Sequence, residues 1–187
     1  MNRTLDTSRI VKPARFAHFV LRVTDLKASI AFYEKLLGMR VVHQSSFIAF
    51  MTYDEEHHRI ALVVTPVANQ APPGAAGLDH VAYTYPSLET LLGSYLRLKP
   101  LGIAPVWSIN HGPTTSLYYA DPDDNRIELQ VDNFDSEKQA QEFIESDAFA
   151  ANPIGVEFDP DQLVARFEAG DPIEELKKQG SAKPLLD

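Results

Sequence analysis

From Asn110 to Val131 the chain runs NHGPTTSLYYADPDDNRIELQV, which brings an imidazole (His111), a phenol (Tyr118) and a carboxylate (Glu128) into one short segment of strand formers and turn formers. Two more histidines stand at the head of apolar runs, His18 in AHFV and His80 in DHVA. Two imidazoles and one carboxylate on one side of a metal form the donor set of non-heme Fe(II) oxygenases. Each residue alone has a plainer explanation. A single strand histidine or glutamate is most often solvated or simply hydrogen-bonded. The elements that carry the residues decide between the two readings.

Those elements repeat. ARFAHFVLRV (14–23) has the β-branched and aromatic content of a strand. DLKASIAFYEKLLG (25–38) spaces its apolar residues as a helix does, with Asp25 suited to the N-cap and Gly38 to the stop. MRVVHQ, SFIAFMTY and RIALVVTP continue as three strands. A Pro/Gly/Ala linker (66–77) follows. The order β-α-β-β-β then recurs in LDHVAYTY, SLETLLGSYLRLKPLG, IAPVWSIN, TTSLYYAD and NRIELQVD. With His18 set over His80, Leu26 falls on Leu88 and Tyr33 on Tyr95. Gly38 matches Gly102 after a two-residue insertion, and HRIALVV (58–64) falls on NRIELQV (125–131).

This gives an α+β fold of paired βαβββ modules, 14–66 and 77–132, in one domain spanning 14–132. Each unit is too small to bury its own sheet face, so the two should pair as a half-open mixed β-barrel with helices outside. Residues 1–13 form an N-terminal arm. Residues 133–187 form a helical C-terminal extension, with amphipathic stretches in SEKQAQEFIES, PDQLVARFEAG and PIEELKKQG.

Alternate strand residues share a face. Ile127, Leu129 and Val131 make one apolar face for a helix to cover, as do Phe19, Leu21 and Val23, and Val81 and Tyr83. His18, His80 and Glu128 then point to the opposite, concave side. The position matching Glu128 in the first module is Ala61, so the site would have three protein ligands and open positions. His57 and His58 sit in a charged turn and are expected to be solvated, and His43 has no partner in sequence. Trp107 is expected in the core or in a pocket wall, and Asp121 and Asp123 as solvated turn residues.

Bulk properties exclude several classes. A net charge of −9 over 187 residues argues against nucleic-acid binding, which needs a surplus of Lys and Arg on one face. Without cysteine there are no disulfides, zinc–thiolate sites or thiol nucleophiles. No apolar run approaches the length that spans a bilayer, and the start has no signal-peptide core. A cytoplasmic protein that binds no membrane is expected.

The paired β-α-β-β-β units with His18, His80 and Glu128 resemble the vicinal oxygen chelate superfamily, which includes glyoxalase I, fosfomycin-resistance proteins, bleomycin-binding proteins and type I extradiol ring-cleaving dioxygenases. The likeness covers residues 14–132. The opening segment is similar to the extradiol signature at His111, Leu117, Tyr118, Asp121, Pro122 and Glu128. It departs at Asp124, where that signature has Gly; a residue tolerant of positive φ is needed there, and Asp is one.

The resemblance implies Fe(II), or Mn(II), on His18, His80 and Glu128, with His111 moving protons and Tyr118 positioning substrate. It also implies an aromatic diol and O2 as substrates and, because one open pocket is often completed by a neighbour, a homodimer. Rival activities on the same fold are a glyoxalase-like lyase or isomerase, a fosfomycin-type transferase and a small-molecule-binding resistance protein. Ala61 speaks against a four-ligand glyoxalase site, the His111–Tyr118 pair against the transferase, and the metal trio against simple binding. Phe47, Phe50 and Trp107 could line an aromatic pocket.

Overall fold

The computed structural model describes residues 10, 12–66 and 76–183. Most of the expected arm (1–13) and linker (66–77) therefore lies outside the described residues. The first module runs β1 (Phe19–Val23), α1 (Leu26–Leu37), β2 (Arg40–Gln44), β3 (Ile48–Thr52) and β4 (Ile60–Val64). The second runs β5 (His80–Thr84), α2 (Leu88–Leu98), β6 (Trp107–Asn110), β7 (Thr114–Ala120) and β8 (Arg126–Asp132), with a 3-10 turn at Lys99–Leu101. The β-α-β-β-β repeat is thus observed twice.

Local chemistry sets the helix ends. Asp25 accepts from the Ala28 amide and starts α1, and Gly38 ends it at φ 64°. Ser87 and Thr90 form a reciprocal capping box at the start of α2.

Each module makes one mixed sheet, ordered β1-β4-β3-β2 and β5-β8-β7-β6. The parallel pairs carry the repeat into three dimensions. Val20 stands opposite Ala61, and Ala82 stands opposite Glu128. Both partners lie two residues beyond the matched histidines, so Ala61 and Glu128 hold the same place in the two sheets. The helix-facing residues are buried: Leu21 and Val23 in β1, and Ile127, Leu129 and Val131 in β8. They join Tyr33 and Leu36 of α1, and Leu91, Tyr95 and Leu98 of α2, in one apolar cluster. Each fully buried Leu or Ile adds about 1.5–3 kcal/mol to stability.

The DPDDN turn locks the modules together. Tyr33 donates to the Asp121 carboxylate at 2.9 Å. The Thr24 hydroxyl bonds Asp123 at 2.5 Å. On the other side Arg97 donates to the Lys35 carbonyl at 2.6 Å. Asp121 is 4% exposed and also accepts from the Asp123 and Asn125 amides. These two aspartates are therefore structural ties, not the solvated turn residues that composition suggested. Asp124 adopts φ 61°, the conformation expected where the signature has Gly.

The extension contains α3 (Glu137–Ile144), α4 (Asp147–Ala151), α5 (Pro160–Glu168) and α6 (Ile173–Leu176), with a short strand β9 (Val156–Glu157) between α4 and α5. It is thus not wholly helical: β9 pairs antiparallel with β6 and makes the second sheet five-stranded. Two residues are too short a run to show periodicity, which is why the strand is invisible in the sequence. No helix among the described residues is long and apolar enough to cross a membrane.

Candidate active site

His80 is the first residue of β5, on the edge of the second sheet. Its Nδ1 lies 2.7 Å from Asp79 Oδ2, and its Nε2 lies 3.1 Å from Glu128 Oε2. The bond to His80 holds the Asp79 carboxyl below the usual carboxylate range. Asp79 orients the ring by one nitrogen and leaves the other for the site, a common arrangement for metal-binding imidazoles. Glu128 projects from the middle of β8 and is 4% exposed. Its ion-pair partner among the described residues is His80, not Lys or Arg. A buried carboxylate without a guanidinium or ammonium partner is suited to a cation.

Tyr118 stands directly across from Glu128 in the β7–β8 pairing. Its ring meets His80 edge-on at 5.2 Å. Burial pushes the phenol pKa up, and the charge of Glu128 adds to the rise. The Tyr118 hydroxyl also lies 3.0 Å from His111 Nε2. Trp107 packs on Tyr118 at 4.9 Å and on His111 at 5.7 Å. Its indole donates to Glu157 at 2.8 Å. His80, Glu128, Tyr118 and His111 therefore form one polar chain on one face of the second sheet.

His18 is placed elsewhere. It is exposed, precedes β1 by one residue, and its ring lies 4.2 Å from that of His58. His58 stacks in turn on Phe50 at 4.6 Å. Its pKa is lowered by desolvation, and His18 and His57 add to this. His58 is therefore half-buried and packed, not solvated as its charged turn suggested. Arg59 fixes the approach to β1 by donating to the Phe16 and Ala17 carbonyls at 2.7 and 3.0 Å.

Among the described residues, no three His, Asp or Glu side chains are grouped as a metal ion requires. The donor types suit an N/O-liganded divalent metal, and two of the three expected ligands stand together; the third does not join them within this chain. The physical reason is plain. The internal repeat fixes each histidine within its own sheet, whereas packing between the sheets decides whether the two meet.

Three contributors were missed in the sequence. Asp79 sits next to His80, so adjacency was its available signal. Glu157 and the Ile154 carbonyl, which lies 2.5 Å from His111 Nδ1, reach the site only because β9 folds back on β6, and nothing local in the sequence announces that.

With this fold and site, residues 15–129 match the Glyoxalase/Bleomycin resistance protein/Dioxygenase superfamily, and the chain belongs to that family. Within it the chain is similar to two proteins of Rhodococcus globerulus. It is 43% identical to biphenyl-2,3-diol 1,2-dioxygenase 2 over 87% of its own length and 86% of that protein's. It is 41% identical to biphenyl-2,3-diol 1,2-dioxygenase 3, again over 87% of this chain and 86% of that one. The fold is also that of a lactoylglutathione lyase from Agrobacterium tumefaciens, with a TM-score of 0.52 and 21% identity over 64% of this chain and 94% of that one.

Proposed function

We propose that this protein is an Fe(II)-dependent extradiol dioxygenase that opens the ring of an aromatic diol with O2, and that it works as a homodimer. The observation that carries the proposal is the polar chain His80–Glu128–Tyr118–His111 on one sheet face. The similarity to two biphenyl-2,3-diol dioxygenases supports it and favours a biaryl diol.

His18, His80 and Glu128 would hold the metal, and Mn(II) suits the same donors. When bound, the metal supplies open positions for the two adjacent hydroxyls of the diol and for oxygen. His18 lies on an exposed face beside Val20, which is 54% exposed. We assign it to the site of a neighbouring copy, so that the dimer completes the trio. Glu128 is held out of water, with His80 and no Lys or Arg as its ion-pair partner among the described residues. Tyr118 hydrogen-bonds the substrate oxygen, and Trp107 and Tyr118 offer aromatic surface to the substrate ring. His111 takes up and returns the diol proton, at the pH where imidazoles do so best. The ring opens beside the diol and gives a muconic semialdehyde-type product.

The test is anaerobic loading with Fe(II), then exposure in air to a panel of catechol, methylcatechols and 2,3-dihydroxybiphenyl. A yellow ring-fission product is expected, strongest with the biaryl diol. No product from any diol at full iron content would refute the proposal.

A further inference from the structure

The segment Asn152–Glu157 touches the site through its backbone, and we propose that it is a strap that fixes which nitrogen of His111 carries the proton. The Ile154 carbonyl lies 2.5 Å from His111 Nδ1. A carbonyl can only accept, so Nδ1 must be the protonated nitrogen. A neutral imidazole carries one N–H, which leaves the Nε2 lone pair facing the Tyr118 hydroxyl at 3.0 Å. The strap thus presets His111 as a proton acceptor on the side of the reacting group. The carbonyl is a positioning group, acting through His111 and not on substrate.

Three features show that the strap is built for this place. Gly155 has φ +116°, and a Cβ there would lie 2.3 Å from the Asn110 carbonyl oxygen and 2.7 Å from His111 Cα, so only glycine lets the backbone come this close. The Asn152 side chain grips Gly155 from both sides, donating to its carbonyl at 2.7 Å and accepting from its amide at 3.1 Å. Beyond Gly155, Val156 and Glu157 pair with Asn110 and Ile109, and the Glu157 carboxylate holds the Trp107 indole against the same ring. The Ile154 side chain is 61% exposed, so the residue contributes its backbone and not its packing. The strap also gives the extension a role: it sets the geometry of a histidine that the β6–β7 turn would otherwise leave free to rotate.

The inference rests on His111 as the proton-moving residue of the proposed reaction, but its test does not need turnover. Protein labelled with 15N-histidine, free of metal, is measured at about pH 9, above the ordinary imidazole range. The His111 signals are assigned by their loss in His111→Gln. The expected result is a protonated Nδ1 and a bare Nε2 in the natural sequence. Asn152→Ala and Gly155→Ala should convert the ring to a mixture of tautomers. In the iron-loaded enzyme they should lower kcat about 3–10-fold with KM unchanged, because only part of the rings are then competent.

Gly170→Ala, which strains a turn with φ +86° elsewhere in the extension, should lower Tm and leave the His111 signals as in the natural sequence. An Nε2-protonated His111 in the natural sequence overturns the inference, as do unmoved signals in the strap variants. If those variants do not fold, the natural-sequence spectrum alone decides. If no diol is cleaved, the nitrogen signals still report on the strap separately.

Discussion

Replacing Tyr33 by Phe removes a single oxygen from the seam between the modules, and its cost can be worked out. The Tyr33 hydroxyl is fully buried and donates to the Asp121 carboxylate at 2.9 Å. Burial and the Asp121 charge push its pKa far up, so it stays a donor at every working pH. A hydrogen bond to a charged group is worth about 1.5–3 kcal/mol. The lower end applies here, because Asp121 keeps three other donors: the Asp123 amide, the Asn125 amide and the Asn125 side chain. Tyr33→Phe should therefore cost about 1.5 kcal/mol, or roughly 3–6 °C in Tm for a chain of this size. Asp121→Ala strands all those donors in the interior and should cost at least about 3 kcal/mol. Urea unfolding followed by circular dichroism measures both, with the slope expected to stay unchanged. A Tyr33→Phe protein within about 0.5 kcal/mol of the natural one would refute the seam as a net source of stability.

Other outcomes follow from the same structure. Arg59 lowers the Asp54 carboxyl from 3.8 to about 2 by direct hydrogen bonds. The folded value lies below the unfolded one, so the pair stabilises the fold above about pH 4 and loses that effect as pH falls toward 2. Asp54→Asn should accordingly be the less stable protein at pH 7, and the gap in urea midpoints should close on acidification; a gap constant down to pH 2 would contradict it. His80→Ala and Glu128→Ala should each lose most bound iron, whereas His111→Ala should keep iron and the diol and lose turnover about 10²–10⁴-fold. Loss of metal in His111→Ala would make that residue a ligand instead. Mixing His18→Ala with Glu128→Ala protein should restore about one quarter of the natural activity, since half the reassorted dimers are mixed and each carries one intact site. No recovery after subunit exchange would place His18 outside a shared site.

Much of this fold could be read in the sequence because its signals are local and doubled. Helical spacing, the Asp25 and Ser87 caps, and the matched Leu26/Leu88 and Tyr33/Tyr95 positions each fixed an element, and the two copies supported one another. The site was legible as far as one sheet reaches. His80, Glu128 and Tyr118 sit on neighbouring strands, and His111 follows the end of β6 directly, so strand pairing brings them close together. His18 marks where this ends. Its equivalence to His80 is a statement about two sheets separately, and their relative placement depends on contacts such as Tyr33–Asp121 that join residues far apart in the chain. The role of Asp121 was hidden for the same reason, since a DPDD turn looks the same whether water or a tyrosine fills the carboxylate. The strap was hidden because its contribution is a backbone carbonyl, which every residue has.

The most direct test of ring cleavage uses 18O2. Iron-loaded protein is mixed with 2,3-dihydroxybiphenyl under labelled oxygen, and the yellow product is analysed by mass. An extradiol dioxygenase places both atoms of one O2 molecule in the product, so the initial product should be heavier by two labelled oxygens, before any exchange of its ketone oxygen with water, and one O2 should disappear per ring opened. A product carrying no label, or a diol recovered intact with no oxygen consumed, would contradict the account.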